Sequence, residues 1–230
     1  MLQLIDRSKI YFYLALLIIL LSVHNTKSIT FVENYFKIKE FDLIGDADKE
    51  IILSISKSLE EFYHYNIFSL NPDEVTNILE NFNIINHFEV KKEYPSKIKI
   101  EFKETKILAY YIKDNKKIYI GENGKKITKV KEENGNIPLI VGTINIKKFL
   151  ELKKLLITKK FKWEDFTTFY SFNSNRWDLI YKDQVTIKLP IDNLDDSLNL
   201  LKKIINKQDV IIFKIIDLRL KDRVILSWVK

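Results

Sequence analysis

The chain has 230 residues, 46% of them hydrophobic and 30% charged, the make-up of a folded globular protein with room for one large domain or two small ones; a disordered chain is excluded. It has no cysteine, so disulfides, thiolate metal sites and a cysteine nucleophile are excluded together. The net charge of +7 comes from lysines spread along the whole sequence and not from a stripe, which argues against a nucleic-acid surface and fits anionic lipid at least as well.

At the N-terminus, Asp6, Arg7 and Lys9 precede an uncharged apolar run, Ile10 to Val23, closed by His24, Asn25, Thr26 and Lys27. As a helix the run covers about 21 Å. That falls short of the ~30 Å hydrocarbon layer, between a spanning helix and the apolar part of a signal peptide. Ser22, Val23 and His24 make a poor cleavage pattern, and Arg7 with Lys9 holds the N-terminus inside. The expectation is a cytoplasmic segment 1–9, an uncleaved single-pass anchor over 10–28 with Lys9 and Lys27 snorkelling, and a body on the far side of the membrane.

Residues 35–106 read strand, helix, helix, strand, strand. Phe36, Ile38, Phe41 and Leu43 mark a strand running into Gly45, and Ile51, Ile52, Ile55 and Leu59 share one helical stripe. Asn71 is an expected N-cap, with Pro72 in the first helical position and Asp73 and Glu74 against the positive end of the dipole. A half-buried hairpin follows, Phe88 to Tyr94, a turn at Pro95 and Ser96, then Ile98, Ile100 and Phe102 alternating with Lys and Glu.

Residues 107–230 are mostly strands, with Asn123 and Gly124 expected to take positive φ in a turn and "NIPLIVG" expected as a short buried strand. Two helices interrupt, Lys147 to Ile157 and Leu194 to Ile205, and the strands "DVIIFKIIDLRL" and "DRVILSWV" close the chain. The whole reads as α+β around a mostly antiparallel sheet.

The stretch "NRWDLIYKDQVTIKLP", Asn175 to Pro190, fixes a register. Its apolar sets, Trp177, Leu179 and Tyr181 against Val185, Ile187 and Leu189, fall on one side only with a three-residue loop of Lys182, Asp183 and Gln184. That register sets Asp178 opposite Lys188 as an exposed cross-strand ion pair, and expects Gln184 to be left-handed. Arg176, Asp178, Asp183 and Lys188 are then a solvent face, not a reactive site.

No catalytic constellation emerges. His24, His64 and His87 are scattered. Asp192 to Asp196, "DNLDD", lacks the glycine and distal glutamate of a calcium loop and opens a helix, where acids suit the dipole. No glycine pair has phosphate-loop spacing.

The strand "NRWDLIYKDQVTIKLP", an amphipathic helix, and then "IIDLRLKDRVILSW" resemble the C-terminal half of the bacterial division family FtsQ (DivIB in Gram-positives), particularly its alphaproteobacterial form. The preceding "FKIKEFDLIGD" through "KIKIEFKE" is similar to that family's POTRA domain. The chain departs from the pattern at Gln184, where the family has a turn glycine, at Glu104 to Ile107, and at Asn83 to Ile85. The resemblance implies an inner-membrane, single-pass type II protein with an N-terminal transmembrane helix, a periplasmic POTRA domain (35–106) and a mostly antiparallel β domain with two helices (107–230).

It further implies a non-enzymatic divisome component at the septum that binds FtsB- and FtsL-like proteins, takes no cofactor, metal, small molecule or nucleic acid, and helps regulate septal peptidoglycan synthesis. The family's partner edge carries over onto Asp217 and Leu218 and then Arg219, Leu220, Lys221, Asp222, Arg223, Val224, Ile225, Leu226, Ser227 and Trp228, with Arg176 and Trp177 in the supporting sheet. A chain-terminal strand invites strand addition in any case, because its outer backbone groups are unpaired. Whether Val224, Leu226 and Trp228 face core or partner stays open. The rival readings are a POTRA-bearing module of outer-membrane assembly or secretion, and a periplasmic hydrolase released by signal cleavage.

Overall fold

The computed structural model describes residues 7–22, 34–128, 136–207, 212–221 and 223–228. Helix α1, Arg7–Ser22, is apolar all round from Ile10 onward, a pattern that suits an apolar surrounding better than a water-facing surface. Its 16 residues rise about 24 Å. None of the described helices is long and apolar enough to cross a membrane, and residues 23–28 of the expected anchor lie outside the described residues.

The chain divides into two units, Met1–Phe82 with Phe88–Lys103, and Asn83–His87 with Glu104–Lys230. The first holds β1 (Glu40–Ile44), α2 (Lys49–Ser58), α3 (Pro72–Glu80) and most of β2 (Ile85–Glu93) and β3 (Lys97–Glu104), in the expected order strand, helix, helix, strand, strand. The sheet order is β1-β3-β2, with Phe41 beside Ile98 and Leu43 beside Ile100 in a parallel pair. Ile55 and Leu59, Val75 and Leu79, and Ile98 and Ile100 are all buried, so each amphipathic stripe supplies one layer of the core. α3 starts as expected, the Asn71 side chain accepting from the Asp73 N–H at 3.0 Å. The first strand is shorter than the periodicity implies. Phe36 and Ile38 pair instead with the segment before α3, Ile38 N–H donating to Tyr65 O and Ile67 N–H to Phe36 O, and regular strand begins only at Glu40.

The second unit is built on a nine-stranded sheet of order β12-β11-β10-β9-β8-β7-β4-β5-β6. Its strands are β4 (Ile107–Lys113), β5 (Lys116–Gly121), β6 (Lys126–Ile127), β7 (Leu139–Gly142), β8 (Phe166–Ser171), β9 (Trp177–Tyr181), β10 (Val185–Lys188), β11 (Phe213–Asp217) and β12 (Ile225–Trp228). The sheet is mostly antiparallel, with parallel joins at β4–β7, β7–β8 and β10–β11. Two of those joins follow from the helices: α4 (Ile146–Thr158) separates β7 from β8 and α5 (Leu194–Lys207) separates β10 from β11, and a helical crossover returns the chain in the same direction. Phe149, Leu152 and Leu156 of α4 and Leu198 and Leu201 of α5 are buried in one cluster with the inner residues of the strands.

The hairpin register is as expected, with Tyr181 opposite Val185, Leu179 opposite Ile187 and Asp178 opposite Lys188. Its turn is not. Lys182 and Asp183 carry the positive φ, 48° and 58°, and Gln184 donates its N–H to Tyr181 O. This is a tight turn of the kind that matches strand twist, with Gln184 as a bulged extra residue. In the β5–β6 turn positive φ belongs to Gly124 and not to Asn123, because the Asn123 side chain is occupied, accepting from the Lys125 N–H and donating to Asn83 O and Ile85 O. Of the strand at "NIPLIVG", Ile140 is buried while Val141 is 38% exposed.

Candidate protein-binding edge

β12 ends the sheet, with β11 as its one strand neighbour among the described residues. Phe213 lies opposite Trp228, Ile216 opposite Leu226 and Asp217 opposite Ile225, with a bulge between Phe213 and Ile215. Alternation decides which side chains are free. Val224 and Leu226 pack partly buried against the core, whereas Ile225 points away from it and is 53% exposed. Trp228 divides its surface. Its ring rests 4.6 Å from that of buried Phe213, yet 58% of the residue is open. An amphipathic aromatic held on one face and bare on the other is a ready anchor for a partner.

Behind the edge lies a row of charge. Asp178, Lys188 and Asp217 are register neighbours on β9, β10 and β11, and both acids are 8% exposed. The expected exposed pair of Asp178 with Lys188 is thereby corrected: Asp178 is inside the row, and its nearest cation is Arg176, with Nε 3.4 Å from Oδ1. Neither of those two atoms has a hydrogen bond, so this is a charge contact out of hydrogen-bond alignment. Burial pushes the Asp178 carboxyl above its ordinary value, with Arg176, Lys188 and Arg219 pulling the other way.

Asp217 behaves oppositely. The Arg219 guanidinium donates to it from Nε at 2.8 and 3.0 Å and from a terminal nitrogen at 2.6 Å, and the Arg219 N–H donates to the same carboxylate at 3.1 Å. These charge-assisted bonds hold the Asp217 carboxyl below its ordinary value. Arg176 stacks its guanidinium 4.1 Å over the Phe172 ring. Trp177 is buried against Phe149 and accepts from Leu189 N–H through its carbonyl, so it supports the sheet.

Arg176, Arg219, Lys221 and Arg223 face Asp192 and Asp196 across an open groove of about 590 Å³ that runs beside the start of α5. Asp195 and Asp196 of "DNLDD" sit in the first turn as expected, while Asp192 precedes the helix, and Asp195 also holds Lys159 at the end of α4, 2.7 Å away. Leu220 is exposed, and Asp222 lies outside the described residues. The buried acids and the groove were not expected from the sequence. A signal exists in it: Arg-Trp-Asp at 176–178 and Asp-Leu-Arg at 217–219 each place an acid in a strand and an arginine two residues away, just outside it.

A family model described as cell division protein FtsQ/DivIB, C-terminal, matches residues 109–219, which includes the acid row and stops short of β12. The chain is 30% identical over 208 residues to the cell division protein FtsQ of Rickettsia bellii (strain RML369-C), a match that takes in 84% of this chain and 73% of that protein. It is 30% identical over 179 residues to the FtsQ of Rickettsia prowazekii (strain Madrid E), covering 73% of this chain and 63% of that one. Similarity extends to the cell division protein DivIB of Clostridium tetani (strain Massachusetts / E88), 34% over 87 residues, 38% of this chain and 32% of that protein.

Proposed function

We propose a division-site role from one premise: the chain belongs to the FtsQ/DivIB family of cell division proteins. In this reading it is a non-enzymatic divisome protein held in the inner membrane by α1, with a POTRA domain and a β domain in the periplasm. Its β domain binds FtsB- and FtsL-like proteins and so helps regulate septal peptidoglycan synthesis. The observation that carries the binding step is the bare edge of β12, where Ile225 and Trp228 are both more than half exposed. A partner strand laid along β12 gains backbone hydrogen bonds that are sequence-tolerant, and side-chain contacts with Ile225, Trp228 and the neighbouring Arg219, Leu220, Lys221 and Arg223 that are not. Arg176 and Trp177 hold the sheet that presents this edge.

Co-purification from membranes with the FtsB- and FtsL-like proteins tests the reading. Truncation after Leu220 removes β12 and is expected to abolish association. Trp228→Ala is expected to weaken it while leaving the chain folded. Undiminished association in both variants overturns the edge assignment, and normal cell length after depletion of the protein overturns the division role.

A further inference from the structure

Four aromatic rings on the first unit form a connected surface that neither its core nor β12 explains. Tyr35 meets Phe36 edge-on at 5.3 Å, Phe36 meets Phe68 at 5.0 Å, and Phe68 stacks on Tyr94 at 5.0 Å. Tyr35, Phe68 and Tyr94 are 49%, 60% and 58% exposed. Single exposed aromatics are ordinary, but a contiguous group of them marks an interaction surface. Its backbone is firmly held: Ile67 N–H donates to Phe36 O, and Phe68 N–H to Asn66 Oδ1.

We infer that this patch docks into the interfacial layer of an anionic phospholipid bilayer, on the premise that α1 is membrane-anchored. Two observations select lipid. First, Tyr35 follows the end of α1 by 13 residues, so the rings lie within at most about 45 Å of that end along the chain, and anchoring α1 brings a bilayer surface within reach. Second, the rings are of the types that collect at membrane interfaces, and cations accompany them. Lys37 and Lys39 follow Phe36 closely, and Lys92 reaches Leu70 O at 2.7 Å, beside the Phe68 turn. In sequence the acids nearest the rings are Glu33 and Glu93, and Glu93 is 3.7 Å from Lys97.

The absence of cysteine makes the test direct. Full-length chain with Ser69→Cys, at the patch, or Asp46→Cys, at the far end of β1, carries an environment-sensitive dye and is reconstituted into phosphatidylglycerol–phosphatidylcholine vesicles containing a headgroup-region quencher. Quenching at position 69 is expected to exceed that at 46 by roughly threefold, to fall in pure phosphatidylcholine, and to disappear in Phe68→Ser/Tyr94→Ser. Equal quenching at both sites in protein that floats with the vesicles overturns the patch inference and leaves the anchor standing. Protein that does not float removes the anchor and the inference with it. Quenching independent of anionic lipid, or a dye response that arises only with a co-reconstituted division protein, overturns the lipid assignment.

Discussion

The two ends of the nine-stranded sheet are handled in opposite ways. At one end β6 has two residues, Lys126 and Ile127, and its outer side is engaged: the Asn83 side chain donates to Lys126 O at 3.0 Å, and Asn123 ties the same segment by donating to Asn83 O and Ile85 O. At the other end β12 is twice as long, presents Ile225 and Trp228 to solvent, and has no comparable plug among the described residues. An open strand edge is an aggregation liability that folds usually blunt. One sheet with one edge blunted and the other open among the described residues makes β12 the edge to test for a partner.

The most damaging way to break the comparison is to attack the middle, from which both edges hang. Gly142 in β7 has φ +101°, and a β-carbon there collides with the Ser171 carbonyl oxygen on β8. Backbone cannot yield as a flexible side chain would. Gly142→Ala is expected to destabilise the chain by about 3 kcal/mol or more, read as a lowered urea midpoint, with partner capture lost as the sheet fails. An unchanged midpoint would refute the claim that β7 and β8 pack this tightly.

Next in size is the edge itself. Trp228→Ala removes an exposed anchor and is expected to weaken FtsB-type association by about 30-fold, the ~2 kcal/mol of an interface hot spot. Lys126→Ala at the blunted edge is expected to leave association unchanged. Equal losses at the two ends, measured by titration of purified partner, would erase the asymmetry.

How far the asymmetry was legible beforehand depends on the kind of information required. The register of Trp177 to Leu189 was legible because one parity alone puts both apolar triplets on one side, and β12 was legible as an edge because a terminal strand has few neighbours. The direction of β7 against β8 was not, since period-two alternation is the same in parallel and antiparallel strands. Burial of Asp178 was not legible either. Its neighbours Lys188 and Asp217 come from strands 10 and 39 residues further on, so local pattern could mark it only as an outward-facing polar position. The helix cap at Asn71 needed only local chemistry.

The acid row sharpens the comparison through pH. Asp217 titrates below its ordinary value in the folded state, so its bonds to Arg219 stabilise the fold above the ordinary carboxylate pKa and are lost as pH falls through the lowered one. Asp178 titrates above its ordinary value, so the folded state holds the extra proton and stability falls as pH rises through the window between the two values. Asp217→Asn is expected to cost about 1–2 kcal/mol near neutral pH and to flatten the acid-side rise in stability. Asp178→Asn is expected to remove the opposing fall. Denaturant midpoints taken across the carboxylate range check both, and identical pH profiles for the two variants would contradict the opposed environments.

The smallest effect belongs to the blunted end. There Lys153 on α4 donates to Glu122 in the β5–β6 turn at 2.8 Å, and that bond holds the Glu122 carboxyl below its ordinary value. The sign follows that of Asp217: the pair contributes above the ordinary carboxylate pKa and is lost as pH falls. The magnitude does not. The Glu122 side chain is 48% exposed while that of Lys153 is 13% exposed, so water already solvates the carboxylate and screens the attraction, leaving at most about 1 kcal/mol. Lys153→Met keeps the buried stem and deletes the charge. It is expected to lower stability by less than about 1 kcal/mol, by an amount that shrinks further in high salt, and to leave FtsB-type association intact. A loss of association in Lys153→Met with an unchanged midpoint would place a partner at this end of the sheet, where the Asn83 plug argues there is none.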